Sequence, residues 1–299
     1  MPFILYALVV AIWGTTWIAI VMQLGTAPIA VSIFWRFAIA ALVMTLIARL
    51  CGRLQRLSLR DRLFCLAQGC CVFGFNFLCF YHAAEWINSG LESVIFSMAV
   101  LFNAINSFLF FRIRPPVSFF PAALLGAAGI ILLFWRDLSA PRIEPGLFIG
   151  IGLSALGTLG FSLGNMISLR HQRRGLDILT TNSQAMLYGA LVMGLLALSQ
   201  GANFMPPLSA RYLGSLLYLA LFGSVIAFGA YFTLVSRIGA DQAAYSILLF
   251  PLVALAISTL YEGYVWHPSA VAGLLLILTG NLVMFARPER LLFRLRGTA

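Results

Sequence analysis

The sequence predicts an all-α integral membrane protein: ten transmembrane helices in two five-helix halves of inverted topology, with both termini cytoplasmic. Three observations carry this expectation. Of the 299 residues, 62% are hydrophobic and only 9% charged, whereas about a quarter would be charged in a soluble domain. Apolar runs near the roughly 20 residues that cross a bilayer fill the chain and leave no room for a soluble domain. Arginines gather in alternate connections between those runs.

Breaks at glycine, proline and charge clusters delimit the helices in order. The first, 3–22, lacks the basic region of a secretory signal and is followed by further spans, so it reads as a retained helix. The second, 28–48, ends at Arg49, and an arginine-rich connection leads to the third at 63–82. The fourth, 88–111, stops before Arg112, and the fifth, 117–135, follows Pro115 and Pro116. The second half repeats the scheme at 146–168, 177–199, 211–236, 241–261 and 268–286, the ninth opening at Asp241 and the last closing at Arg287. Apolar and polar residues do not alternate strictly, which argues against a membrane barrel.

The net charge of +10 would suggest nucleic acid in a soluble chain, but there are no lysines here and the arginines sit mostly in short connections. Fifteen of the nineteen (Arg49, Arg53, Arg56, Arg60, Arg62, Arg112, Arg114, Arg170, Arg173, Arg174, Arg237, Arg287, Arg290, Arg294 and Arg296) fall on one side of the predicted topology. Only Arg136, Arg142 and Arg211 fall on the other, and Arg36 lies within a span. The positive-inside rule therefore places both ends in the cytoplasm. The partners implied are the bilayer and a small-molecule solute, not nucleic acid, and the chain is read as able to act as a monomer.

Cys51, Cys65, Cys70, Cys71 and Cys79 form no CxxC pair, and four lie in one apolar segment, where cysteine behaves as a small hydrophobe. They read as free structural thiols.

An internal repeat organises the rest. At a shift of 151, residues 87–107 lie over 238–258, and Gly129/Gly280 and Ser118/Ser269 agree; at 149, ALVM at 41–44 recurs at 190–193. Five spans per half is odd, so the second copy enters the membrane from the opposite side. The halves are expected at 1–144 and 145–299, the second ending in a short basic tail. Inverted repeats of this kind serve transporters that rock about a central site.

WGTTW at 13–17, FWRF at 34–37, LLFPLVALAIS at 248–258 and GLLLILTGN at 273–281, in this order along ten helices, resemble the drug/metabolite transporter superfamily. The resemblance spans essentially the whole chain and, within the superfamily, points to the bacterial aromatic amino-acid exporters. It implies an exporter of the cell inner membrane. One departure stands out: family members often carry proline at equivalent places in both halves, whereas Pro251 is matched here by Val100.

Arg36 lies about 12 Å into its helix at about 1.5 Å per residue. Arginine at a helix centre costs roughly 2.5–3.5 kcal/mol to insert, so it should face protein, water or a carboxylate. Glu92 is the expected partner, with Ser89, Ser93 and Ser97 as further acceptors. The resemblance places arginine here across members with different cargo, which favours a helix anchor or gate over a substrate contact. Polyanionic cargo would need several deep cations, and only one is present; the same fold carrying other cargo, drugs or sugar phosphates, is the nearest rival reading.

The spans do supply aromatic surface with scattered polar points: Trp13 and Trp17, Asn76 and Phe80, Phe161 and Asn165, Tyr231 and Tyr245, with Ser97, Met98 and Asn103 on the fourth helix. Such a lining suits a small, partly apolar zwitterion whose flat ring stacks while amides and hydroxyls take its ends. Gly14 and Pro251 are expected to absorb bending, with Arg36 and Glu92 in structural or gating roles.

GFSLG at 160–164 formally matches G-x-S-x-G, but that motif needs a strand-turn-helix and a nearby histidine. Gly160 and Gly164 read instead as a small-xxx-small packing face; an intramembrane hydrolase using Ser162 is the rival from another class. No metal spacing, glycine-rich nucleotide loop or Walker sequence occurs, so neither a cofactor nor direct use of ATP is expected. Glu92, His82, Asp177 and Asp241 are the sites at which proton coupling would have to act, although Asp177 and Asp241 also suit helix capping.

Overall fold

The computed structural model describes residues 2–142, 144–231 and 246–285. Its helices are α1 Pro2–Val21, α2 Ile29–Leu50, α3 Leu59–Ala83, α4 Ser89–Phe111, α5 Phe119–Leu133, α6 Pro145–Arg173, α7 Ile178–Ser199, α8 Ala210–Tyr231, α9 Ser246–Tyr261 and α10 Pro268–Phe285. A single helical turn, Trp135–Leu138, follows α5, and no strand occurs among the described residues. Seven helices (α1–α4 and α6–α8) are long and apolar enough to cross a membrane, and α5, α9 and α10 contain shorter apolar stretches.

Local chemistry sets the ends. Ser58 accepts from the Asp61 N–H, Asp177 from that of Thr180 and Ser209 from that of Tyr212, each capping the helix that follows. Pro145 opens α6, where its missing N–H costs no hydrogen bond. Gly25, Gly52, Gly175 and Gly201 adopt positive φ in the connections, a conformation glycine reaches without steric cost.

Among the described residues, three helices depart from regular α winding. The middle of α3, Gly69–Phe75, and of α8, Tyr218–Ile226, winds as π-helix. In α4 the helix breaks at Met98, whose N–H turns back to the Ile95 carbonyl. Hydropathy cannot reveal these features, because backbone winding responds to neighbours. The α3 irregularity coincides with close approach to α7: a Cβ on Gly69 would meet the Ala185 carbonyl oxygen, and one on Gly189 would lie 2.7 Å from Phe73 Cβ.

The chain divides into two compact units. The first, residues 1–99 and 144–265, holds α1–α3, the first half of α4 and α6–α9. Its core lies between α2, α3 and α7, where Phe37, Ala40, Ala41 and Met44 meet Phe73, Ala190 and Met193. Both copies of the ALVM tetrad contribute to that core. Gly160 and Gly164 bring α6 against α3: a Cβ on Gly160 would stand 2.9 Å from Phe75 Cδ1, and one on Gly164 would strike Val72.

The second unit, residues 100–143 and 266–299, holds the rest of α4 with α5 and α10. Glycines let α5 and α10 touch backbone to backbone. A Cβ on Gly129 would lie 2.5 Å from Ile277 Cγ1 and 2.8 Å from the Gly273 carbonyl; one on Gly280 would lie 2.9 Å from the Ala122 carbonyl and 3.3 Å from the Gly126 nitrogen.

Candidate functional site

Trp13 and Trp17 stand one turn apart on α1, so their rings share a face. The Trp13 indole N–H donates to the Gly223 carbonyl of α8 at 3.0 Å. Around its ring are Phe228 at 5.1 Å, Tyr231 at 5.3 Å and Phe250 at 5.4 Å between centroids. Trp17 meets Phe80 of α3 at 5.1 Å and Phe96 of α4 at 5.6 Å, and Phe96 reaches Phe161 of α6 at 4.8 Å. Most of these rings meet edge to face or tilted, the arrangements their quadrupoles favour. Six helices of the first unit thus contribute rings to two clusters one turn apart.

Trp13, Trp17, Phe80, Phe161 and Tyr231 are brought into these clusters. Phe96, Phe228 and Phe250 belong there too, though the sequence does not single them out, since each lies in an apolar run. Their spacing held the only signal: Phe96 is one turn beyond Glu92, and Phe250 directly precedes Pro251.

The polar positions have other partners. Asn76 is buried and its amide donates to the Gly157 carbonyl at 2.7 Å, tying α3 to α6. Ser97 turns its hydroxyl back to the Val94 carbonyl of its own helix. Met98 is buried at the α4 break, Asn165 is half-buried on α6, and Asn103 is half-buried in the second unit. Tyr245 and Asp241 lie outside the described residues. Gly14 is a point of contact: a Cβ there would lie 2.6 Å from Val253 Cβ, two residues past Pro251 on α9.

The structure corrects the expected partner of Arg36, which forms no ion pair with Glu92. Arg36 is 3% exposed. Its guanidinium lies over the Phe77 ring at 4.1 Å and near Phe37 at 5.1 Å, and its Nε reaches Ser224 Oγ at 3.4 Å. The Tyr81 hydroxyl interacts with it electrostatically while donating to Gln23 Oε1 at 2.7 Å. Ser224 sits in the π-segment of α8, and its hydroxyl donates to the Leu219 carbonyl. Arg36 therefore links α2 to α3 and α8 through ring faces and hydroxyls, because a delocalised guanidinium stacks on aromatics as readily as it pairs with acids.

Carboxylates and cations pair where α3 begins and α6 ends. Asp61 accepts from Arg170 at 3.0 Å and meets Arg174 at 3.5 Å, Arg170 lies over Phe64 at 3.6 Å, and Cys65 Sγ faces His171 Nε2 at 3.7 Å. Arg53 pairs with Asp177 at 2.5 Å. At the other end of α3, a cleft of about 500 Å³ is lined by Gly25–Ala30, Leu78, His82, Glu85 and Gln200.

With this geometry in view, the sequence profile described as the EamA-like transporter family matches residues 1–135 and 148–286. The chain belongs to the EamA-like transporter family. Protein PagO of Salmonella typhimurium is 26% identical over 270 residues, covering 87% of this chain and 85% of its own. Protein PecM of Dickeya dadantii is 27% identical, covering 93% and 92%, and an uncharacterized transporter of Archaeoglobus fulgidus is 25% identical, covering 94% and 97%. A solved structure shares the fold, with a TM-score of 0.68 at 16% identity, covering 94% of this chain and 95% of that one.

This EamA-like protein is thus a multi-pass membrane transporter of the drug/metabolite type, not an enzyme. GFSLG accordingly serves contact, with Gly160 and Gly164 pressed on α3 and Ser162 fully buried between them.

Proposed function

We propose that this transporter exports small amphipathic metabolites, aromatic or other hydrophobic amino acids foremost, by alternating access around the aromatic clusters of the first unit. One observation carries the reading: Trp13, Trp17, Phe80, Phe96, Phe161 and Phe250 converge from five helices with no ion pair among them. Rings that meet edge-on can exchange one another for a flat substrate ring at little net cost, since each such pair is worth only about 0.5–1.5 kcal/mol beyond burial. A lone Arg36, stacked on Phe77 with its Nη1 unpartnered, is a single cation, whereas multiply charged phosphates need several.

Inverted halves supply the motion, and three features support them. Under the 151-residue shift, the contact of Gly129 with Gly273 and Ile277 becomes that of Gly280 with Ala122 and Gly126. The π-segments of α3 and α8 begin 149 residues apart, at Gly69 and Tyr218. The α4 break at Met98 falls beside Val100, the counterpart of Pro251, so the first half breaks its helix without a proline. The arginine bias supports cytoplasmic termini in a bacterial inner membrane.

Counterflow of labelled tryptophan and phenylalanine in proteoliposomes tests the cargo. The expected result is flux of both, strongly reduced in Trp17→Ala, with no flux of a sugar phosphate. Transport of the sugar phosphate but of neither amino acid would refute it.

A further inference from the structure

Glu92 has a setting unlike that of any other described acid. It is 0% exposed, and neither carboxyl oxygen has a hydrogen-bond partner. The other described acids either have partners or face solvent: Asp61 is held by Ser58, Arg170 and Arg174, Asp177 by Arg53 and the Thr180 N–H, Glu85 by His82, and Glu262 by the Ser89 N–H and hydroxyl at 3.2 and 2.5 Å, while Asp137 and Glu144 are exposed.

Position in the first turn of α4 would ordinarily favour a carboxylate through the helix dipole, but that is worth about 0.3–1 kcal/mol, up to about 2 in buried geometries. An ionised carboxylate out of water costs several kcal/mol even after relaxation, and repayment needs good ion-pair geometry or hydrogen bonds. Glu92 has neither. The surrounding charges do not help. Helix α4 packs against α1, α6 and α9. Among described residues, α1 offers only the Tyr6 phenol, and α9 offers Tyr261 with Glu262 just beyond it, a second acid that acts on Glu92 electrostatically. Glu144 precedes α6, and the basic residues of α6, Arg170, His171 and Arg173, lie at its far end. They stand about 14 Å or more along the helix beyond Phe161 at roughly 1.5 Å per residue, and Phe161 is where the α4 ring Phe96 docks.

Phe96 is four residues after Glu92, so both occupy one face of α4, and Phe96 joins Trp17, Phe80 and Phe161. Any opening of that cluster to water or solute exposes the carboxyl one turn away.

We propose that Glu92 is the proton-carrying site of this transporter: its carboxyl holds a proton while the aromatic cluster is closed, and releases it to water when the cluster opens. The proton leaves as the O–H bond breaks, the carboxylate keeps the electron pair, and closure requires a proton to be taken up again. Of the four groups the sequence offered for coupling, His82 is half-exposed and contacts Glu85, Asp177 pairs with Arg53, and Asp241 lies outside the described residues.

The inference rests on the transporter reading, but its first test does not depend on cargo. Infrared spectra of the purified protein should show the carbonyl stretch of a protonated carboxylic acid that fades as pH is raised, is lost in Glu92→Gln and remains in Glu262→Gln. Absence of that band from the unaltered protein, or its persistence in Glu92→Gln, overturns the proposal. In proteoliposomes, tryptophan accumulation driven by a pH gradient should be lost in Glu92→Gln; accumulation equal to that of the unaltered protein, or counterflow indifferent to the gradient before any substitution, equally overturns it. A protein inert towards tryptophan would refute the cargo, and the infrared band would then decide the role of Glu92 by itself.

Discussion

Arg36 shows how a membrane helix accommodates a permanent charge without a counter-ion. Two ring faces, a serine and a tyrosine hydroxyl take the place of the carboxylate that the sequence suggested. That substitution was not legible, because Phe77 and Tyr81 look in the sequence like ordinary apolar content of α3; only proximity reveals their ring and hydroxyl chemistry. Arg36→Lys should preserve charge but lose planar stacking, and a desolvated cation–π contact is worth about 2 kcal/mol. Thermal melting in detergent should therefore fall for Arg36→Lys and further for Arg36→Ala. A change in KM for tryptophan with no change in melting temperature would instead mark Arg36 as a substrate contact. Trp13, Trp17 and Phe80 were readable because helical spacing and amphipathic rings announce themselves. Asn76 was readable as polar but not as a strut bonded to Gly157.

At the scale of elements, hydropathy located every described helix near its observed span, since crossing the hydrocarbon dictates length and composition. It could not locate the π-segments of α3 and α8 or the α4 break, which answer to contacts with other helices. The α6 glycines illustrate the difference: their spacing is plain in the sequence, while the surface they meet is visible only in the structure. Gly164→Leu should force α6 from Val72 of α3 and lower both folded yield and melting temperature, whereas Ser162→Ala should leave solute flux largely intact. Loss of flux in Ser162→Ala with normal folding would contradict the packing role.

For the whole molecule, the repeat was legible as faint identity and gains support from paired geometry: Gly129 and Gly280 make equivalent contacts between α5 and α10. Weak identity fits the proposed inverted repeat, because two halves facing opposite ways would need matching shapes more than matching residues. Reporter fusions should place both chain ends in the cytoplasm; ends in different compartments would break the inverted scheme. The central claim is alternating access about the aromatic clusters, and α3 offers a probe near each end: Leu78 beside the cleft and Phe64 beside Arg170. In a background with the five native cysteines replaced, single cysteines at Leu78 and Phe64 can be labelled with a water-soluble maleimide with and without tryptophan. The account predicts that substrate shifts the two labelling rates in opposite directions; rates that move together, or not at all, would contradict it.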